Sequence, residues 1–187
     1  MARNNARNNH GVLESTGALC LALSLAGCND FSTSDAPGQL SVPSRGDFPA
    51  VADAMQLHCG TLDCHGQAGR NMRLYGLYGL RLDPTNNPLG QLTSEAEYDA
   101  TYSSIVGLEP EIMSKVVQHQ VAPETLTMLR KPLGVEKHMG GLLIVQDDPL
   151  DRCLVGWLTG QFDSAACIAV VQTQRPEPPQ EGLDASE

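Results

Sequence analysis

Two cysteines and a histidine fall close together in Leu57-His58-Cys59-Gly60-Thr61-Leu62-Asp63-Cys64-His65-Gly66. Two thiols followed directly by an imidazole have a definite chemistry open to them. In a Cys-x-x-Cys-His run the thiols add to the two vinyl groups of a haem, and the histidine lies under the iron as its proximal ligand. Here four residues, not two, separate the cysteines. The vinyl positions fix the distance between the sulfurs, so the two extra residues have to bulge outward. Gly60 and Asp63 both tolerate turn geometry. Two other chemistries use the same residues. Cys59 and Cys64 could form a local disulfide in an oxidising compartment, or join His65 and a distant histidine around a structural Zn²⁺.

A second candidate lies far along the chain. Lys137-His138-Met139-Gly140-Gly141 carries two adjacent iron-ligand side chains. The glycines behind them let the backbone pass close to something flat and large. Met128, His58 and Met72 are weaker candidates, because methionines in periodic apolar segments are usually core fillers. Arg70, Arg73 and Arg81 are candidates to meet haem propionates, since a guanidinium pairs with a carboxylate in a fork. The sequence contains no serine elbow, no readable pair of catalytic carboxylates and no phosphate-binding glycine loop, so it reads as no enzyme. A haem peroxidase would need an open iron site and a distal acid/base pair, which nothing here demands.

The elements that position these residues follow from punctuation and periodicity. A short helix near Phe48–His58, with Val51, Ala52 and Met55 at helical spacing, delivers Cys59 at its end. The glycine-rich run 70–84 reads as irregular, with room for a short hairpin, and 84–92 as a loop. Ser94 and Glu97 form a capping box for a helix over 94–106, with Tyr98, Tyr102, Ile105 and Val106 on its inward face and Gly107 ending it. A further helix over 110–118 opens on Pro110 and turns Ile112, Met113, Val116 and Val117 inward. His119 falls at its end and is not read as a ligand. Pro132 and Gly134 break any helix in 121–139. The last and clearest helix starts at Pro149, capped by Asp147 or Asp148, and repeats Leu150, Cys153, Leu154, Trp157 and Leu158 on one face up to Gly160. With Cys59 and Cys64 assigned to haem, Cys153 and Cys167 most simply pair, a bond worth on the order of 3 kcal/mol.

The ends of the chain read differently. Arg3 and Arg7 precede an apolar run, 18–25, too short to span a bilayer. It ends in Leu25-Ala26-Gly27-Cys28, which resembles a bacterial lipobox. That resemblance implies a signal peptide over 1–27 and lipid on Cys28; an ordinary signal peptide cut near the same place is the alternative. A flexible tether over 28–46, a domain over 47–170 and a disordered tail over 171–187 follow. Cleavage removes Arg3, Arg7 and Glu14, moving the formal charge from −10 to −11. So acidic a chain has no basic stripe for nucleic acid but could dock on a basic partner. Aromatics are only 4% of the chain, so the protein part of the core is aliphatic and modest.

Taken in order, the domain is a helix ending in Cys…Cys-His, a loop, two middle helices, a ligand-bearing loop and a final helix with the single tryptophan. That order resembles a small c-type cytochrome of the class I kind, in which a gap of four is a rarer variant. Gly79-Leu80-Arg81-Leu82-Asp83 and the His-x-Gly-Gly loop after Lys131-Pro132 resemble cytochrome-like domains of bacterial lipoproteins. The resemblance covers roughly Phe48 to Cys167. It implies an all-α fold whose first and last helices cross at an aromatic, Trp157. It implies one covalent haem c on Cys59 and Cys64, with His65 as proximal ligand. His138 is favoured as distal ligand over Met139; a second imidazole gives a lower potential than a thioether. The implied function is a lipid-anchored electron carrier in the cell envelope, on the periplasmic side or the cell surface, with a redox protein as partner. The rival is a haem-free surface lipoprotein module held by Cys59–Cys64 and Cys153–Cys167 disulfides.

Overall fold

A computed structural model describes residues 39–85 and 90–174. The signal segment, Cys28, the beginning of the tether and the end of the tail lie outside the described residues. Six helices carry the fold, and among the described residues there is no strand: α1 (Phe48–Cys59), α2 (Glu95–Val106), α3 (Pro110–Val117), α4 (Thr127–Arg130), α5 (Pro149–Leu158) and α6 (Ser164–Gln174). The all-α expectation holds.

Pro49 opens α1, where a missing backbone N–H costs nothing. Phe48, Val51, Ala52, Met55 and Cys59 recur at helical spacing and are buried. The crossing partner of α1 is twofold. α5 meets it through an aromatic cluster, with Phe48 and Trp157 ring centres 5.1 Å apart and Tyr102 5.2 Å from Phe48. Each such pair contributes about 1 kcal/mol beyond area burial. The second partner is α6, where no helix was expected; its end, residues 171–174, falls in the stretch expected to be disordered tail. Its Ala166, Cys167 and Val170 are buried, and it packs on both α1 and α5. The Cys153–Cys167 disulfide is formed and joins α5 to α6.

Two further boundaries differ from expectation. Residues 41–45, read as tether, are bound to the domain. Ser41 N–H donates to Ser114 Oγ (2.9 Å), the Tyr102 hydroxyl to the Pro43 carbonyl (2.7 Å), and the Trp157 indole to the Ser44 carbonyl (2.7 Å). Arg45 pairs with Asp99. Between Val121 and Met139, where no helix was expected, a 3-10 turn (Pro123–Thr125) leads into the one-turn α4 before Pro132 and Gly134 stop it.

α2 begins at the expected cap, with both arms of the Ser94–Glu97 box made. Its buried face is rotated from the expected one. Glu97, Thr101 and Ile105 are buried, while Tyr98, Tyr102 and Val106 are half-buried. The reason is the irregular segment 71–82, which makes a single isolated bridge, Tyr75 to Leu80, instead of a hairpin. Its backbone donors need acceptors. Side chains supply them: Arg73 N–H donates to Ser104 Oγ (2.7 Å), Tyr75 N–H to Thr101 Oγ1 (2.8 Å), Leu77 N–H to Thr93 Oγ1 (3.1 Å) and Tyr78 N–H to Gln56 Oε1 (3.2 Å). A polar face of α2 is therefore the one turned inward.

Candidate functional site

α1 ends on Cys59, and the chain turns at once. His65 N–H donates to the Cys59 carbonyl (2.9 Å), while Cys64 and Gly66 N–H both return to the Thr61 carbonyl (2.9 and 3.0 Å). Thr61, Leu62 and Asp63 are thereby pushed out to solvent, and Cys59 and Gly60 stay buried. The long gap is a bulge closed at its base. Gly66 makes the closure feasible, since a Cβ there would collide with the Gly60 carbonyl. Arg70 pins the turn from outside, donating from Nε to the Cys64 carbonyl (3.0 Å) and from Nη2 to the Asp63 carbonyl (3.1 Å).

Cys59 and Cys64 are both free thiols, not joined to each other. Burial, and then the neighbouring Cys64, push the Cys59 thiol up to about 12. A buried thiol held protonated is a poor thiolate ligand. Among the described residues no group of three or more His, Cys, Asp or Glu side chains is placed to hold a metal ion. A Zn²⁺ site of the cysteine-rich kind would need such a group.

No protein-family model, curated protein or solved structure matches this chain. The chemistry of the site rests on its own geometry.

His65 and His138, 73 residues apart in the chain, are brought together with ring centres 6.5 Å apart and planes within 18° of parallel. Each ring is fixed by the same device. His65 Nδ1 is 2.9 Å from the Met72 carbonyl, and His138 Nδ1 is 3.0 Å from the Gly141 carbonyl. A carbonyl only accepts, so each Nδ1 carries a proton, and in the neutral ring this leaves Nε2 with the lone pair. This is the outer-shell bond that orients ligating histidines. Burial lowers the pKa of His65, against the Met72 bond that raises it, so the ring is held neutral. Two imidazoles sharing one metal ion on opposite sides hold their ring centres roughly 6 Å apart, with metal–nitrogen bonds of about 2 Å. The observed spacing fits that arrangement.

The loop carrying His138 is built around its ring. A Cβ on Gly140 would sit 3.1 Å from His138 Cε1, and Gly141 takes φ +75°. The glycines expected to make room for a flat cofactor make room first for His138 itself. Met139 points away and is 92% exposed, so it is not brought to the pair. Met72 and Met128 are buried in the core, and His58 is half-buried.

The three arginines separate. Arg81 is withdrawn from solvent into an ion pair, its Nε 2.9 Å from Glu97 Oε1 and its Nη2 donating to Glu97 Oε2 (3.0 Å). Its Nε, although close to the carboxylate, makes no aligned hydrogen bond, and Arg70 is engaged by the Cys59–Gly66 turn. Arg73, next in the chain to the Met72 that orients His65, keeps a buried Nε with no partner. The Arg81–Glu97 pair was missed in the sequence, although Glu97 was noticed as a cap. A capping residue that also lies on an inward helical face has a second role open to it.

Proposed function

We propose that this chain is a lipid-anchored monohaem c-type cytochrome, an electron carrier and not an enzyme, at the periplasmic side or surface of the cell envelope. The observation that carries the reading is the opposed pair His65 and His138, each with Nδ1 tied to a backbone carbonyl, beside two unbonded cysteines. When bound, haem would supply a reversible one-electron change at iron. The chain's own residues do the rest. Cys59 and Cys64 would hold the group through thioethers. His65 and His138 would offer Nε2 as ligands, and their backbone bonds keep both rings from turning. The spare Nε–H of Arg73 suits a haem carboxylate. Two imidazoles favour a lower potential than an imidazole with a thioether. The expected partner is another redox protein, and the acidic chain offers nothing to nucleic acid.

The test is a pyridine haemochrome spectrum with intact mass, on protein exported from a strain that carries cytochrome c maturation. A c-type spectrum with the mass of one haem is expected. Colourless protein would end the electron-carrier reading. On coloured protein, His138→Ala is expected to shift the low-spin spectrum; an unchanged spectrum would remove His138 as a ligand.

A further inference from the structure

The segment 132–144, which carries His138, closes on itself. Leu143 and Ile144 N–H both donate to the Pro132 carbonyl (2.9 and 3.2 Å). Its outer side forms a groove of about 340 Å³, walled by Leu133, Val135, Leu142 and Ile144, with Glu124 and Asp151 as its carboxylates. Cys59, Cys64, His65 and His138 do not line it.

Three features of this groove ask for an occupant. First, Val135, Leu142 and Val145 are each more than half exposed, a cluster of large apolar side chains on a short stretch. Second, Asp151 is only 6% exposed, and its two oxygens differ. Oδ2 accepts from Asp147 N–H (2.8 Å), whereas Oδ1 is buried with no partner. A buried acceptor left unmade is costly. Third, the surroundings are acidic, with Asp147 and Asp148 beside Asp151 and Glu124 across the groove.

An apolar wall that meets one unpartnered carboxylate oxygen matches a long apolar stem with a single cationic donor at its tip. Lysine has that form, and its ammonium is a point charge, whereas a guanidinium fork seeks two oxygens. Val135, Leu142 and Val145, exposed along the same groove, present more apolar surface than one lysine stem covers, as at a protein interface. We propose that this groove docks a basic partner protein, which inserts one lysine with its stem along Leu133, Val135, Leu142 and Ile144 and its ammonium at Asp151 and Glu124. The inference does not depend on haem.

The experiment titrates the full chain with acetyl-Gly-Lys-Gly-amide, and with the same peptide carrying norleucine, which keeps the stem and lacks the charge. Free n-pentylammonium is the third probe. NMR shift changes report both affinity and place. The lysine peptide is expected to saturate and to shift Leu142, Val145 and Asp151, with the norleucine peptide at least tenfold weaker. Asp151→Asn, which keeps the acceptor for Asp147 N–H, should weaken the lysine peptide about tenfold. Leu142→Ser, a change at an exposed wall residue, should weaken both peptides with no loss of folding. Equal binding of lysine and norleucine, no effect of either substitution, or no saturable binding of the lysine peptide would overturn the proposal. n-Pentylammonium, which has the stem and the charge, is expected to bind more weakly than the lysine peptide; binding as tight as the peptide's would overturn the partner-protein proposal in favour of a small-amine site.

Discussion

Cys59 and Cys64 are the same residue type in unlike surroundings. Cys59 ends a helix with its side chain in the core and is 8% exposed; Cys64 stands on the bulge and is half-buried. Reactivity of a thiol follows thiolate character and access together, and burial works against Cys59 on both counts. In folded protein without haem, a maleimide reagent should therefore label Cys64 well before Cys59, with Cys59 reacting at the rate of unfolding. Peptide mapping after a timed pulse reads this directly. Equal rates would mean that the Cys59–Gly66 turn is open in solution, and no labelling of either would mean that the two have oxidised to a disulfide. The cysteines and His65 were legible because they are close in sequence. The pairing of His65 with His138 rested on likeness of motif, since no local pattern reports a contact between residues so far apart. Met139 shows the limit: adjacent in sequence to His138 and equally able to ligate iron, it stands 92% exposed while the His138 ring packs over Gly140.

Among the elements, the helices with strong punctuation were readable. Ser94 with Glu97, Pro110, and Asp148 with Pro149 all begin helices where expected. α6 was missed because its apolar residues run nearly all the way round and a proline-rich tail follows, so neither a stripe nor a stop marked it. The inward face of α2 was misplaced for a different reason. Periodicity sees apolar residues, and this face is set by hydrogen bonding to a segment without secondary structure of its own. Glu97 is the extreme case. Its carboxylate meets Arg81, accepts from Ser94 N–H (2.9 Å) and accepts from Leu82 N–H (3.2 Å), all at 1% side-chain exposure. Removing one member of a buried ion pair leaves the other charge stranded, at a cost of about 3–5 kcal/mol. Glu97→Ala is thus expected to lower the unfolding free energy by about that much in urea. The double change Glu97→Leu with Arg81→Met should recover a large part of it, since the stranded charge is gone. A loss below about 1 kcal/mol, the level of an exposed pair, would show that the pair is hydrated in solution.

On the scale of the molecule, two burial terms act on stability in the same direction as total charge. Burial raises the pKa of Asp151 above 3.8, helped by Asp148, Glu124 and Asp147 and opposed by the Asp147 backbone bond. Burial likewise raises Asp53, opposed by its hydrogen bond from Tyr98. For such a carboxyl the folded chain binds more protons than the unfolded one between 3.8 and the raised value. Stability therefore falls as pH rises through that window, and below it the effect is absent. The formal charge of −10 adds self-repulsion as the remaining carboxyls ionise. Asp83 and Glu136 act the other way, lowered by hydrogen bonds from Thr85 and Arg130, but both are solvent-exposed and their pull is weak. The Cys153–Cys167 bond has no proton to exchange and sets a pH-independent floor, tying α6 to α5 and, through it, to α1. The expected outcome is a domain more stable in mild acid than at neutral pH. Asp151→Asn isolates one contribution, because the amide keeps an acceptor for Asp147 N–H and cannot ionise. Urea midpoints of the two proteins, compared from mild acid to neutrality, should converge at the acid end and separate as pH rises, with the variant the more stable. Parallel curves would show that Asp151 titrates at its ordinary value, and that water or a cation already satisfies the oxygen left bare at the floor of the groove.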